Sequence, residues 1–122
     1  MKTKEVNDTM RDLVRERSLL ARKLSGYKYL LRGTIIKRGN VCGTSGCRCK
    51  RKDRPLLHGP YDYLSHRSRK KINMIFLNAR KLPYARKGIE EYAELIDIVY
   101  RISEINFKIL RYHYAELKEG VI

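Results

Sequence analysis

The chain of 122 residues contains no tryptophan and no glutamine, only two phenylalanines, and only three prolines. No apolar run in it is free of Asp, Glu, Lys or Arg for long enough to cross a bilayer, which excludes a membrane-spanning helix. The N-terminus, Met1-Lys2-Thr3-Lys4-Glu5, has no apolar core of the kind a signal peptide requires. These absences place the expected protein in the cytoplasm. No phosphate-cradling glycine loop, no paired catalytic carboxylates and no nucleophile–base–orienter triad can be assembled, so no enzyme is expected. Missing glutamine and tryptophan, together with many charges, fits a thermophile.

Acidic residues are scarce where basic ones are dense. Residues 32–87 hold 16 Lys or Arg against 2 Asp or Glu, a balance of +14, whereas residues 88–122 balance at −3. Virtually the whole net charge of +15 therefore sits in the middle of the chain. Such a segment repels itself unless a polyanion is near, and releasing condensed counterions from phosphates favours nucleic acid as that partner. A membrane surface is the weaker partner, because the segment does not read as an amphipathic basic helix. The length allows a single domain, 1–122, and 43% hydrophobic residues suffice to fold it.

Apolar residues at helical spacing (Val6, Met10, Leu13, Leu20, Leu24) predict a helix within 1–31, interrupted or ended near Ser25-Gly26. From Thr34 the period shortens. Thr34–Arg38, Tyr61–Arg67 and Lys71–Leu77 read as three antiparallel strands, the first stopped by the turn signal Gly39-Asn40. Pro83 suits the first turn of a second helix, expected over 83–119, although Gly88 weakens its start. In that helix Tyr92, Leu95, Val99, Ile102, Asn106 and Ile109 alternate steps of three and four. Such a seam predicts packing on the N-terminal helix and a homodimer with Asn106 as register residue. The fold class expected is α+β: a three-stranded antiparallel sheet with a metal-binding loop, between an N-terminal helix and a long C-terminal one.

All three cysteines fall within eight residues, Cys42-Gly-Thr-Ser-Gly-Cys47-Arg-Cys49, and His58-Gly-Pro-Tyr61 follows. The ligand types suit tetrahedral zinc, with Cys42, Cys47, Cys49 and His58 as the expected set. His66, Asp53 or water are competitors for the fourth place. His113 is far along the last helix and reads as a surface or seam residue. Structural zinc would give shape to a link too basic and too poor in apolar residues to hold itself by burial. It would also present Arg48, Lys50, Arg51, Lys52 and Arg54 to a ligand. With them, Lys37, Arg38, Arg67, Arg69, Lys70 and Lys71 are the expected phosphate contacts. Tyr61 and Tyr63 share the face of Arg67, because strand residues two apart point the same way; they suit either a core or a nucleic-acid surface.

The elements Gly33–Arg38, Cys42-Gly…Cys47-Arg-Cys49, His58-Gly-Pro-Tyr61 and Tyr63–Arg67 resemble an uncharacterised prokaryotic family known only as a domain of unknown function. That resemblance implies no activity. Three basic strands before a helix are also, more weakly, similar to the arm-binding domain of tyrosine recombinases, in which the sheet enters the major groove. The cysteine loop departs from that pattern, so only the idea of DNA binding transfers. The sequence thus leads to the expectation of a non-enzymatic, zinc-containing, nucleoid-associated DNA-binding protein. RNA binding, or a coiled-coil adaptor for an acidic protein, are the rivals.

Overall fold

The computed structural model describes residues 2–120, with side chains from Thr9 onward; the expected core position Val6 lies outside the described side chains. The elements run α1 (Lys2–Leu24), β1 (Thr34–Asn40), a 3-10 turn (Arg48–Lys50), β2 (His58–Arg67), β3 (Ile72–Phe76), α2 (Leu82–Tyr112) and α3 (Tyr114–Lys118). The α+β class, the three antiparallel strands and the two flanking helices are as expected. The single domain expected from length is divided into two compact units, one of Met1–Lys28 with Ala93–Ile122, the other of Tyr29–Tyr92.

In the first unit the apolar stripe of α1 meets the C-terminal half of α2. Leu13, Leu20, Ile98, Ile105 and Ile109 are buried together, with Val14, Leu24, Tyr27 and Ile102 packed against them. This corrects the expected seam by about one residue. Ile98 and Ile105 point inward, whereas Val99 and Asn106 are exposed. Asn106 is exposed on the single chain, where its Oδ1 accepts a hydrogen bond from Nη1 of Arg17 at 3.0 Å. Arg101 and Glu16 add a surface ion pair at 3.5 Å, worth little on its own. The long helix also ends earlier than 119. His113, buried, leaves helical geometry at φ −130° and divides α2 from α3.

The second unit holds the sheet, in the order β1-β2-β3. Leu64, Leu77 and Ala85 form its core, supported by Leu31, Ile35, Leu82 and Ile89. The helix expected within 1–31 ends at Leu24, where Ser25-Gly26 turns the chain, and does not resume over 27–31. Residues 29–31 instead lie along α2: Leu31 N–H donates to the Gly88 carbonyl at 3.0 Å, and Tyr29 N–H donates to the buried Glu91 carboxylate at 2.8 Å. Gly88 is therefore a contact point inside the helix. A Cβ there would run into the Tyr29 carbonyl oxygen and come within 2.7 Å of Leu31 Cβ.

Gly39-Asn40 likewise does not end β1. The strand continues through both with a register shift between Arg38 and Asn40. Gly39 is needed because a Cβ there would sit 2.8 Å from Leu57 Cβ. The start of α2 is set by a residue that the sequence reading passes over: Asn78 Oδ1 accepts the N–H groups of Arg80 and Lys81 at 3.1 and 2.9 Å, as a capping side chain does.

Candidate metal centre

The segment between β1 and β2 holds no apolar core of its own. From residue 41 to residue 57, Cys49 is the one buried residue, while Val41, Leu56 and Leu57 are exposed. Its shape comes from tight backbone turns. Cys47 N–H donates to the Thr44 carbonyl at 3.4 Å, Lys50 N–H to the Cys47 carbonyl at 2.9 Å, and Leu56 N–H to the Arg48 carbonyl at 3.1 Å. Gly46, at φ +76°, takes a left-handed conformation between the first two cysteines.

These turns bring Cys42, Cys47, Cys49 and His58 together, with all four ligand atoms within 4.8 Å of one another. Sγ of Cys49 lies 3.6 Å from Sγ of Cys42, and Nε2 of His58 lies 3.2 Å from Sγ of Cys47. Around a tetrahedral ion with metal–sulfur bonds of about 2.3 Å, neighbouring sulfurs stand about 3.8 Å apart, so the spacing fits a four-coordinate metal. The cysteines are free thiols. The Cys42 amide donates to Sγ of Cys49 at 3.3 Å, the kind of bond that holds a ligating sulfur in place. Among the described residues this is the group that could hold a metal ion. His66 and Asp53, the competing ligands, are not part of it.

The surroundings bias the thiols differently. The backbone at Thr44, then the Cys47 side chain, hold the Cys42 thiol down at about 6. The backbone at Cys49 and the His58 ring hold Cys47 below the usual thiol range despite an opposing effect of Cys42. Cys49 is pushed up: the backbone at Cys42 favours its thiolate, but burial and the neighbouring sulfurs outweigh that. The Cys47 side chain, first, raises His58. Two thiols held below their usual range lose their protons to a cation more readily.

The expected nucleic-acid contacts are distributed over three places in this unit. Arg48, Lys50, Arg51, Lys52 and Arg54 surround the cysteines and are exposed. Arg69, Lys70 and Lys71 occupy the exposed link between β2 and β3. The strand residues divide between the two faces of the sheet. Lys37 pairs with Asp62 on the side of Leu64, whereas Arg38, Tyr61, Tyr63 and Arg67 lie on the opposite side. Phe76, which the sequence reading leaves out, belongs with them: its ring lies 5.8 Å from Tyr61 and 5.7 Å from Tyr63, edge-on to each. Alternation along β3 from Leu77 is the signal that places it there. Asn40 Nδ2 donates to the Tyr63 hydroxyl.

No helix of the described residues is long and apolar enough to cross a membrane. The family model described as Domain of unknown function (DUF6788) matches residues 10–87, and the chain belongs to that family. The match begins on α1 and takes in the whole sheet and the cysteine cluster. No curated protein and no solved structure matches the chain.

Proposed function

We propose that this member of the family is a non-enzymatic DNA-binding protein in which a structural zinc ion, held by Cys42, Cys47, Cys49 and His58, shapes a basic lobe that engages phosphates. One observation carries the reading: the unit that bears the cysteine cluster also bears +12 of the net charge of +15. Sixteen basic residues against two acidic ones lie between 32 and 87, and the eleven Lys and Arg residues among the expected contacts, from Lys37 to Lys71, are exposed. Cations in such number on one surface are the electrostatic footprint of a nucleic-acid partner. Three thiolate donors and an imidazole suit zinc better than a hard cation, which prefers oxygen. Four protein ligands leave no open position for a reacting water, which argues for a structural role.

Binding of a short duplex, followed as salt is raised, tests the reading. If six to eight cations meet phosphates, log K falls against log[salt] with a slope of roughly −5 to −7, at about −0.9 per contact. An affinity that ignores salt would overturn it.

We also infer self-association through the exposed side of α2. Tyr100, Phe107 and Leu110 lie there, away from Ile98, Ile105 and Ile109. With Ser103 they occur at steps of three, four and three, a spacing that reads the same in both directions. A second copy running antiparallel matches it and brings Asp97 toward Arg111 of that copy, opposite charges at a shared edge.

A further inference from the structure

We propose that the outer face of the sheet binds single-stranded DNA, with Tyr61 and Phe76 as surfaces on which bases stack and the hollow between Arg32 and Arg67 as the seat of a backbone phosphate. The proposal rests on the DNA-binding reading above and names the form of DNA and the surface that takes it.

The antiparallel register sets the face. Thr34, Ser65 and Met74 form one cross-strand row, Ile36, Tyr63 and Phe76 the next, with Arg38–Tyr61 at one end and Arg67–Ile72 at the other. All alternate with Leu64, which is 5% exposed in the core. A sheet with one face on its core ordinarily turns polar side chains to water on the other. Here that other face carries Tyr61 at 39%, Phe76 at 47% and Ile72 at 61% exposure, with Met74 beside them. Contiguous exposed apolar surface of this kind marks a binding site.

The charge around it selects the partner. Guanidinium groups stand at both ends, Arg38 and Arg67, in a unit of strong positive charge. A second copy of the chain or a basic partner would be repelled, and a polyanion is drawn in. Beyond the aromatic rows the face opens into a hollow of about 280 Å³ whose lining combines the apolar Ile72 and the backbone of Gly33 with Arg32, Thr34, Ser65, Arg67 and Tyr92. Two guanidiniums and three hydroxyls are donors suited to phosphate oxygens. Tyr63 and Arg67 are four residues apart on β2, about 13 Å at ~3.3 Å per residue, which leaves room for nucleotides between a stacked base and a bound phosphate.

The aromatic character separates single strand from duplex. In a duplex the base faces are already stacked on each other, so rings on a sheet gain nothing that lysines would not supply. Unpaired bases offer their faces, and stacking on aromatics is how sheet surfaces hold them. Phe76, wedged edge-on against both tyrosines, is the central ring of this platform.

The test is fluorescence anisotropy of the full zinc-containing chain with labelled oligo-dT of about 16 nucleotides, a length within single-strand site sizes, and with a duplex of equal length. The single strand is expected to bind at least about tenfold more tightly than the duplex. Tyr61→Leu and Phe76→Leu, which keep an apolar surface but remove a ring, should each weaken oligo-dT by about fivefold or more while changing the duplex less than about twofold, given stacking of ~1–3 kcal/mol per base. Tyr61→Phe should bind as the parent does. If a leucine variant loses its zinc or its fold, Met74→Asp, an exposed position between the rows, is expected to weaken the single strand in its place. Duplex bound as tightly as oligo-dT, or ring variants that bind both as the parent does, would overturn this proposal and leave the DNA-binding reading standing. Oligo-U bound tenfold more tightly than oligo-dT would overturn the commitment to DNA. Binding to neither form would sink the broader reading itself.

Discussion

Nε2 of His58 stands 3.2 Å from Sγ of Cys47 across eleven residues of chain, so the first residue of β2 closes a cluster that the loop before it begins. A metal held by the cluster would tie the shape of the loop to its ligands. Protein purified without added zinc should carry about one zinc per chain. Removing it with a chelator should open the loop to trypsin between Lys50 and Arg54, since burial does not hold that stretch. Cys47→Ser or His58→Ala should do the same without a chelator. Zinc-free protein with an unchanged cleavage pattern would count against the metal.

Thiol reactivity in the metal-free protein should rank the cysteines. Cys42, held down at about 6 by the Thr44 backbone, is largely thiolate at neutral pH, and Cys49, pushed up, is not. A lowered pKa keeps the charged form above it, so Cys42 alkylation should be fast at pH 7 and slow as pH falls through about 6. Zinc, which competes with protons for the same sulfurs, should be lost in the same direction. Mass spectrometry of iodoacetamide-treated protein reads both. Cys49 reacting before Cys42 would contradict the ranking.

The basic link between β2 and β3 gives a third expectation. Replacing Arg69, Lys70 and Lys71 together by Ala should flatten the salt slope by up to about 3. The loss should be similar on unrelated sequences, because phosphate contacts carry little sequence information. Replacing Lys108 and Lys118 should change the slope little. The opposite ranking would relocate the interface.

Gly88→Ala sets two effects against each other. Helix propensity favours alanine by about 1 kcal/mol. The added methyl meets the Tyr29 carbonyl and Leu31, and overpacking of this kind costs ~1–3 kcal/mol. The clash is with backbone and also threatens the bond from Leu31 N–H to the Gly88 carbonyl, so it should win by about 1 kcal/mol. Urea denaturation should show a lower midpoint; a raised one would mean that residues 29–31 yield easily.

On α2 the two sides should respond differently to a charge. Ile102→Asp enters the cluster of Ile98 and Ile105 and should destabilise the fold by about 3 kcal/mol or more. Phe107→Asp, on the exposed side, should leave the melting of monomer unchanged and abolish self-association in sedimentation. A parent that stays at 14.4 kDa at high concentration would refute the antiparallel pairing.

The cysteine cluster was legible because four ligand types fall close together in the chain, and local spacing limits where they can go. The strands were legible because β-branched and aromatic residues mark them. The seam of α2 was not, because apolar residues surround that helix. Ile96, Ile98, Val99, Ile102, Ile105, Phe107 and Ile109 permit more than one stripe, and only the position of α1 chooses among them. Gly39-Asn40 carries a turn signal yet lies in a strand, since the glycine serves close approach to Leu57. The burial of Glu91 could not be read locally either; it depends on an amide 62 residues away.

The first unit is built from both ends of its sequence, Met1–Lys28 and Ala93–Ile122, with the sheet unit between them. On the ribosome this imposes an order. The sheet unit is complete once Tyr92 has emerged, while α1 waits with Leu13 and Leu20 uncovered until Ile98, Ile105 and Ile109 are made. At about 5–20 residues per second that wait lasts several seconds. During it Leu13 and Leu20 stand among Arg15, Arg17, Arg22 and Lys23 on α1, and like charges on two such helices would repel each other.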